Sequence, residues 1–255
     1  MNCWLLGPLL AVLAGLLGST AAGQEFRIES EIFAGKETKP AARNLTLFAN
    51  GVVYDFLLTA PEEVTVFDAE RARFLLLDTS RRVKTEVTVD QVDRFVTALQ
   101  DRAVKSGELL AEMARPKFTP EFDEASRALT LTGEKLSYRA TCEPIENPAA
   151  AKAYALFVDR YTRLNATRPG SLPPNARLEL NDALAARQLM PREVERTFGK
   201  ASRWWGKQDV VRSEHLVNYR LLPTDRERIE SVGDMVADFR VVDFIEFRGL
   251  QDLGK

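Results

Sequence analysis

The strongest constraint on the fold is a series of short β-strand patterns joined by tight polar turns. In residues 26–32, apolar side chains alternate with polar ones, which is typical of a strand with one buried face. Only Asn50-Gly51 separates the strand patterns at 45–49 and 52–58, and this residue pair strongly favours a two-residue hairpin turn. Further strand patterns follow at residues 64–67, 74–77 and 83–88. The short connections predict an antiparallel meander.

The hydrophobic period changes to that of a helix after residue 88. Val92, Val96 and Leu99 share one helical face, and Thr88 with Gln91 forms the pattern of a capping box. A second short helix is predicted at residues 108–113. Strand patterns then return at residues 118–122, 128–132 and 136–142. This half of the chain is therefore predicted to add a few helical turns and a second set of strands.

The last third of the chain is predicted to alternate helices with strands. Asn147-Pro148 favours a helix start. Asn175 is expected to cap the next helix, which carries Leu189 and ends at Pro191. Strands are expected at residues 194–198 and 210–222. A capping box of Thr224 and Glu227 is expected to open a further helix, and a final strand is expected at residues 241–247.

This order of elements predicts an α+β fold. We expect a curved antiparallel β-sheet, an open half-barrel, with helices packed on its concave face. The one boundary candidate, residues 169–174, lies between two predicted helices and not between two cores. Residues 24–255 are therefore predicted to form a single domain.

The first residues of the chain predict export. An uncharged apolar run at residues 3–17 precedes small residues, and its length suits a signal peptide better than a membrane span. Residues 1–23 are interpreted as the signal peptide, which predicts a periplasmic or extracellular protein. No Lys or Arg precedes the apolar run, so an N-terminal membrane anchor is the alternative.

The composition and the rarity of certain side chains argue against several classes of function. The chain has 35 basic and 37 acidic residues, whereas a general nucleic-acid binder carries a basic excess. After Cys3 in the leader, Cys142 is the second and last cysteine, so no internal disulfide is expected in the exported chain. His215 is the only histidine, which excludes multi-histidine metal sites.

No catalytic, cofactor-binding or metal-binding residues are predicted. The chain lacks the glycine-rich phosphate loops and the G-x-S-x-G elbow of many hydrolases. His215, flanked by Glu214, is expected to be a structural strand residue with aromatic or aliphatic neighbours. Cys142 is expected to be a small buried apolar residue. A hydrolase with a carboxylate pair stays open, because acidic residues are plentiful.

The meander resembles that of the LolA/LolB-type lipoprotein carriers. The resemblance lies in the segment ARNLTLFANGVVYDFLLTAPEEVTVFDAERARFLLLDTSRRVKTEV, and in the late segment from Leu189 to Val194. It concerns the order of elements more than identities. The chain lacks the family's N-terminal helix and carries two extra helices between the middle and late strands. The resemblance implies an open half-barrel with an apolar cavity for acyl chains.

Six aromatic and aliphatic residues are the candidates for contact with a ligand. Four belong to predicted helical faces, and adjacent indoles in a predicted loop could contact a ligand, a partner or a membrane surface. They are Phe95, Leu99, Tyr154, Phe157, Trp204 and Trp205.

The leading hypothesis is an exported, non-enzymatic protein that binds a hydrophobic ligand such as a lipid or a lipoprotein acyl chain. No cofactor and no nucleic-acid partner are expected. The alternative is an interaction domain of the cell envelope with a packed core and no ligand. A continuous apolar cavity would favour the first of these two.

Overall fold

The computed structural model describes residues 25–145, 147–199 and 210–249. The described residues form one sheet of twelve strands and six helices. The strands are β1 (Phe26–Ala34), β2 (Ala42–Ala49), β3 (Val52–Leu57), β4 (Glu63–Asp68), β5 (Arg73–Asp78), β6 (Val83–Thr88), β7 (Thr119–Asp123), β8 (Ala128–Thr132), β9 (Leu136–Pro144), β10 (Leu189–Phe198), β11 (Val210–Asn218) and β12 (Arg240–Val241). The helices are α1 (Val89–Ala103), α2 (Glu108–Ala114), α3 (Pro148–Asn165), α4 (Asn175–Ala185), α5 (Pro223–Asp238) and α6 (Phe244–Arg248).

Two antiparallel meanders meet in the middle of the sheet. Strands β1 to β6 form one meander and β7 to β11 form the other. They are joined by antiparallel pairing of β1 with β11, in which Ser30 lies opposite His215 and Ala34 opposite Val211. The short strand β12 adds to β6 in parallel at one edge. Among the described strands the two edges, β12 and β7, do not pair with each other, so the sheet is open.

The turn between β2 and β3 has the geometry predicted from the sequence. Asn50 and Gly51 both adopt a positive φ, at 52° and 77°. Two successive left-handed residues match the twist of a two-residue hairpin, and Ala49 therefore pairs directly with Val52. The capping box at the start of α1 is also present, since the Thr88 hydroxyl accepts from the backbone N–H of Gln91 at 3.2 Å.

One face of the sheet, here called the inner face, carries α1 to α4, and Phe247 of α6 joins the apolar core near β6. At the β1–β6 end, Phe48, Phe67 and Phe74 pack with residues of α1 and α3 in one apolar core. At the β8–β10 end, a second core contains Leu129 and Leu136 together with residues of α2 and α4. In the middle of the inner face, Phe26 and Ile28 of β1 belong to the first core, and the inner face of β11 lies between the two cores.

Helix α5 packs on the opposite, outer face of the same sheet. A third core joins Leu45, Leu47 and Phe56 to Val232 and Phe239 at the helix. These strands bury side chains on both faces, and a sheet of that kind needs cover on both sides. The expected α+β class with an open antiparallel sheet is confirmed, and α5 adds an outer layer that the sequence did not predict.

Four predicted boundaries are wrong, each for a local reason. Leu189 begins β10 instead of ending α4, and the Pro191 expected to stop that helix lies at a break in the β9–β10 register. A proline fits there because a bulge removes the need for its missing N–H. Helix α4 begins after Pro174 without a side-chain cap, so Asn175 is its first residue and not its cap.

The other two errors lie near the end of the described chain. Helix α5 starts at Pro223, and Asp225, not the expected Thr224 and Glu227 pair, accepts from the backbone N–H of Leu222 at 2.8 Å. Residues 241–247 form the two-residue strand β12 and helix α6 rather than one strand. The Asp243 carboxylate caps α6, and Gly249 ends it in the left-handed region.

None of the helices in the described ranges is long and apolar enough to cross a membrane.

Candidate functional site

A cavity of about 660 Å³ lies between the two inner-face cores. Its floor is the inner face of β1, β2, β3 and β11, and helix α3 with the following residues 166–174 forms its opposite wall. Small-molecule sites are typically clefts of roughly 300–1,000 Å³. The cavity therefore has the size of a binding site.

Alternation along the strands decides which side chains face the cavity. Ile28, Ser30 and Ile32 point inward from β1, while Asn44 and Thr46 do so from β2. In a strand, every second side chain lies on the same face. The cavity floor therefore combines aliphatic side chains with a set of hydroxyl and amide groups, and it is more polar than the resemblance implies.

The predicted ligand-contact residues divide into three groups. Tyr154 and Phe157 line the cavity from α3. The Phe157 ring also packs edge-on against Phe48 with ring centres 5.6 Å apart, so it belongs to the core as well. Phe95 and Leu99 in α1 are not among the described residues that line the cavity. Leu99 instead packs partly buried against the first core.

The two indoles, Trp204 and Trp205, lie outside the described residues. Residues 1–23, interpreted as a signal peptide, also lie outside them. Their contribution to ligand contact and to export stays a prediction.

A buried carboxylate, Asp55, ties helix α3 to the cavity floor. Its oxygens accept from Asn44 Nδ2 at 2.8 Å, Thr46 Oγ1 at 2.6 Å and Tyr161 Oη at 2.6 Å. Burial raises the pKa of the Asp55 carboxyl, while the three hydrogen bonds act in the opposite direction. The three donors satisfy the carboxylate that burial would otherwise leave at a high free-energy cost. Asp55 therefore positions Tyr161, and with it α3, over the cavity.

The single histidine lies on the cavity floor between two serines. The Oγ atom of Ser30 is 2.8 Å from His215 Nδ1, and the Oγ atom of Ser213 is 3.0 Å from Nε2. The aromatic or aliphatic neighbours expected from the sequence are thus replaced by hydroxyl groups at both ring nitrogens. Burial, and to a smaller extent the charge of Arg177, lowers the pKa of His215 from 6.5 to about 4.

This arrangement does not match a nucleophilic triad. A triad histidine is oriented by an acceptor carboxylate on one ring nitrogen and activates a serine on the other. Here a hydroxyl lies on each side, and the low pKa makes the imidazole a weak base at neutral pH. The Ser30–His215–Ser213 row supplies polar contacts on the floor of the cavity.

Three arginines, Arg168, Arg177 and Arg196, line the cavity. Of these, Arg168 forms an ion pair with a carboxylate. Arg168 binds Glu63 Oε1 at 2.7 Å. Arg177, in the first turn of α4, donates to the amide oxygen of Asn181 at 3.0 Å. Among the described residues, neither Arg177 nor Arg196 forms an ion pair with a carboxylate. The buried Nε of Arg196 lacks a hydrogen-bond partner there as well.

The remaining candidates that the sequence raised are a cysteine, a metal site and a carboxylate pair. Cys142 is buried with a free thiol, as expected, and burial raises its pKa to about 11. In the described ranges no group of three or more His, Cys, Asp and Glu is arranged to hold a metal ion. Asp55 is the one carboxylate among the described residues that line the cavity, so a glycosidase-like pair is not found there.

Several cavity residues escaped the sequence analysis, but two kinds of signal mark them. Asp55 interrupts the apolar strand VVYDFL, and a charged side chain at an inward position of such a strand needs buried partners. Arg196 shares its face of β10 with Val194 and Phe198, both of which are buried. Arg177 has no comparable signal, because its position depends on how α4 packs.

Comparison with known proteins returns a distant structural likeness only. No protein-family model matches the chain, and no curated protein matches it significantly. The structure is similar to that of a LolA superfamily protein from Nitrosomonas europaea, with 8% sequence identity and a TM-score of 0.29. The match covers 80% of this chain and 89% of the other.

Proposed function

We propose that this protein is an exported, non-enzymatic binding protein for a hydrophobic ligand such as a lipid or a lipoprotein acyl chain. The observation that carries the proposal is the cavity of about 660 Å³ between the sheet and α3. A domain with a purely structural role would be expected to fill this space with side chains, as both neighbouring cores do. Periplasmic or extracellular location rests on the apolar leader.

Burial of hydrocarbon supplies the driving force for binding. Each methylene removed from water contributes about 0.8 kcal/mol. Ile28, Ile32, Leu57 and Val158 provide aliphatic walls, and Phe157 provides an aromatic one. An acyl chain threaded between floor and helix would contact all of them.

The proposal is tested with a pair of neighbouring alanines. Ala42 lines the cavity, whereas Ala41 is exposed and does not line it. Ala42→Trp should displace at least two methylenes of a bound chain and weaken uptake of a fluorescent fatty acid about tenfold. Ala41→Trp introduces the same ring outside the cavity and should leave uptake unchanged.

Two results would contradict the proposal. One is purified protein that carries no lipid in native mass spectrometry and takes up no fluorescent fatty acid. The other is equal uptake by the Ala41→Trp and Ala42→Trp proteins, because binding would then take place elsewhere. Circular dichroism of both variants shows whether each keeps the fold.

A further inference from the structure

Two arginines without a carboxylate partner among the described residues, Arg177 and Arg196, lie at one end of the cavity. Arg196 on β10 lies directly opposite Tyr138 on β9 and opposite Val211 on β11, next to the Ser213–His215 row. The charges of Arg177 and Arg196 both act on the Tyr138 hydroxyl, and that of Arg177 also acts on His215. The two guanidinium groups therefore share this end of the cavity.

Nothing in the described part of the chain neutralises these two charges. Arg168, on the wall near α3, is paired with Glu63, and Asp55 already accepts three hydrogen bonds elsewhere on the floor. The nearby imidazole is neutral at pH 7, because its pKa is about 4. Arg177 and Arg196 are half-buried, and charged side chains that are partly withdrawn from water are normally paired, so these two arginines favour a negatively charged ligand.

We infer that the cavity binds an anionic amphiphile, whose carboxylate or phosphate head is held between Arg177 and Arg196 and whose hydrocarbon tail lies along α3. This inference rests on the proposed function. It adds the chemical class of the ligand and the orientation of the bound ligand in the cavity. Guanidinium groups suit the head because they donate two parallel hydrogen bonds to carboxylate or phosphate oxygens. The Ser213 hydroxyl on the same floor already donates to the Val194 carbonyl oxygen at 3.5 Å, so the guanidinium groups supply the hydrogen bonds to the head.

The direction of the tail follows from the distribution of side chains. The apolar wall of the cavity is formed by Phe157 and Val158 of α3, with Ile28 and Leu57 on the floor, while Tyr154 lies within reach of the Arg177 charge. An amphiphile placed with its head at Arg196 buries its tail against these groups. The reverse orientation would place hydrocarbon against two unpaired charges.

The test compares three probes that share one tail and differ in the head: palmitate, hexadecyl phosphate and the neutral hexadecanol. Affinities are measured on the purified protein by displacement of a fluorescent fatty acid. The anionic probes should bind about 10- to 100-fold more tightly than the alcohol, the usual effect of charged hydrogen bonds. Comparing palmitate with the phosphate shows which head the site prefers.

The variants Arg177→Gln and Arg196→Gln remove one charge each and keep a hydrogen-bonding side chain of similar length. Each variant should lower the affinity for the two anionic probes about tenfold and leave the affinity for hexadecanol unchanged. Arg192→Gln is the matched control, because Arg192 is an exposed residue of the same strand β10 that does not line the cavity. It should leave all three affinities unchanged.

The outcomes separate this inference from the proposed function. If the three probes bind equally and the Arg177 and Arg196 variants do not discriminate among them, the anionic head site is wrong while the hydrophobic cavity stands. If none of the three probes binds, the proposed function itself is wrong. If the Arg192→Gln protein loses as much affinity for anions as the other two, the effect is one of overall charge and the head site is overturned.

Discussion

At the scale of single residues, the cavity floor contains polar groups whose protonation is set by burial. His215 is held neutral between two serine hydroxyls, with its pKa lowered to about 4. An unfolded chain has its histidine near the ordinary value of 6.5. Between these two values the unfolded state binds a proton that the native state does not bind, so falling pH favours unfolding.

Because His215 is held neutral, we expect the free energy of unfolding to fall on mild acidification. Its contribution is complete above about pH 6.5 and is lost progressively as the pH falls towards 4, with a total of about 3 kcal/mol. Urea unfolding of the wild-type protein and of His215→Gln at pH values across this range measures the contribution. The wild type should lose about that much more stability than the variant.

The raised pKa of Asp55 acts in the opposite direction, because it lets the native state bind a proton more readily as the pH falls. Asp55 is present in both proteins, so its effect cancels in the difference between them. Parallel pH profiles of the two proteins would show that His215 is not held neutral by its surroundings.

The residues of the site show what a sequence can and cannot reveal. Tyr154 and Phe157 were predicted as ligand contacts from helical spacing, and they do line the cavity. Phe95 and Leu99 share the same kind of pattern in α1 but lie away from it. Helical periodicity identifies an inward face, whereas the packing of each helix decides whether that face meets a cavity or a core.

At the scale of elements, the β2–β3 hairpin depends on backbone conformation at its turn. Gly51 has a φ of 77°, and a Cβ added there would meet nothing within 4 Å. A substitution at this position therefore tests backbone strain without steric clash. An L-residue in the left-handed region costs about 1–2 kcal/mol.

Replacement of glycine by alanine should change the free energy of unfolding in opposite directions at the hairpin turn and in helix α5. Gly51→Ala should destabilise the protein by about 1–2 kcal/mol. Gly233→Ala, in the exposed face of α5, should stabilise it by about 0.5–1 kcal/mol, because alanine favours a helix and its Cβ also meets nothing within 4 Å. Thermal or urea unfolding of both variants measures the two effects. Equal effects of the same sign would contradict the turn geometry.

Elements with strong local signals were predicted well, and those that depend on tertiary contact were not. The hairpin and the α1 capping box follow from neighbouring residues. In contrast, Leu189 starts a strand because β9 offers it a partner, although its spacing suits the preceding helix. The β-rich residues 241–247 form α6 because Asp243 and Gly249 cap a helix there.

At the scale of the whole molecule, the cavity is a consequence of how the two meanders join. Pairing of β1 with β11 places residues nearly two hundred positions apart side by side, as in the contact of Ser30 with His215. Helices cover the inner face on both sides of this junction, and α3 reaches over it through the bond from Tyr161 to Asp55. The space left between them is the candidate site.

Ligand binding should therefore stabilise the whole fold. A ligand at about one hundred times its dissociation constant adds about 2.7 kcal/mol to the free energy of unfolding. For a chain of this size that corresponds to a rise in Tm of roughly 5–10 °C. A thermal melt with and without palmitate measures the rise, and Ala42→Trp should show a much smaller one. An unchanged Tm for the wild type at saturating palmitate would contradict binding to the native state.

The sequence by itself determined the strands of both meanders, most of the helices, the hairpin turn and the α+β class. These features depend on periodicity, caps and turn residues, which act over a few neighbouring positions. Only the tertiary structure decided the β1–β11 junction, the outer position of α5 and the convergence of Arg177, Arg196 and His215. Those depend on which distant apolar faces bury one another, and a local pattern shows that a face is apolar without showing which partner covers it.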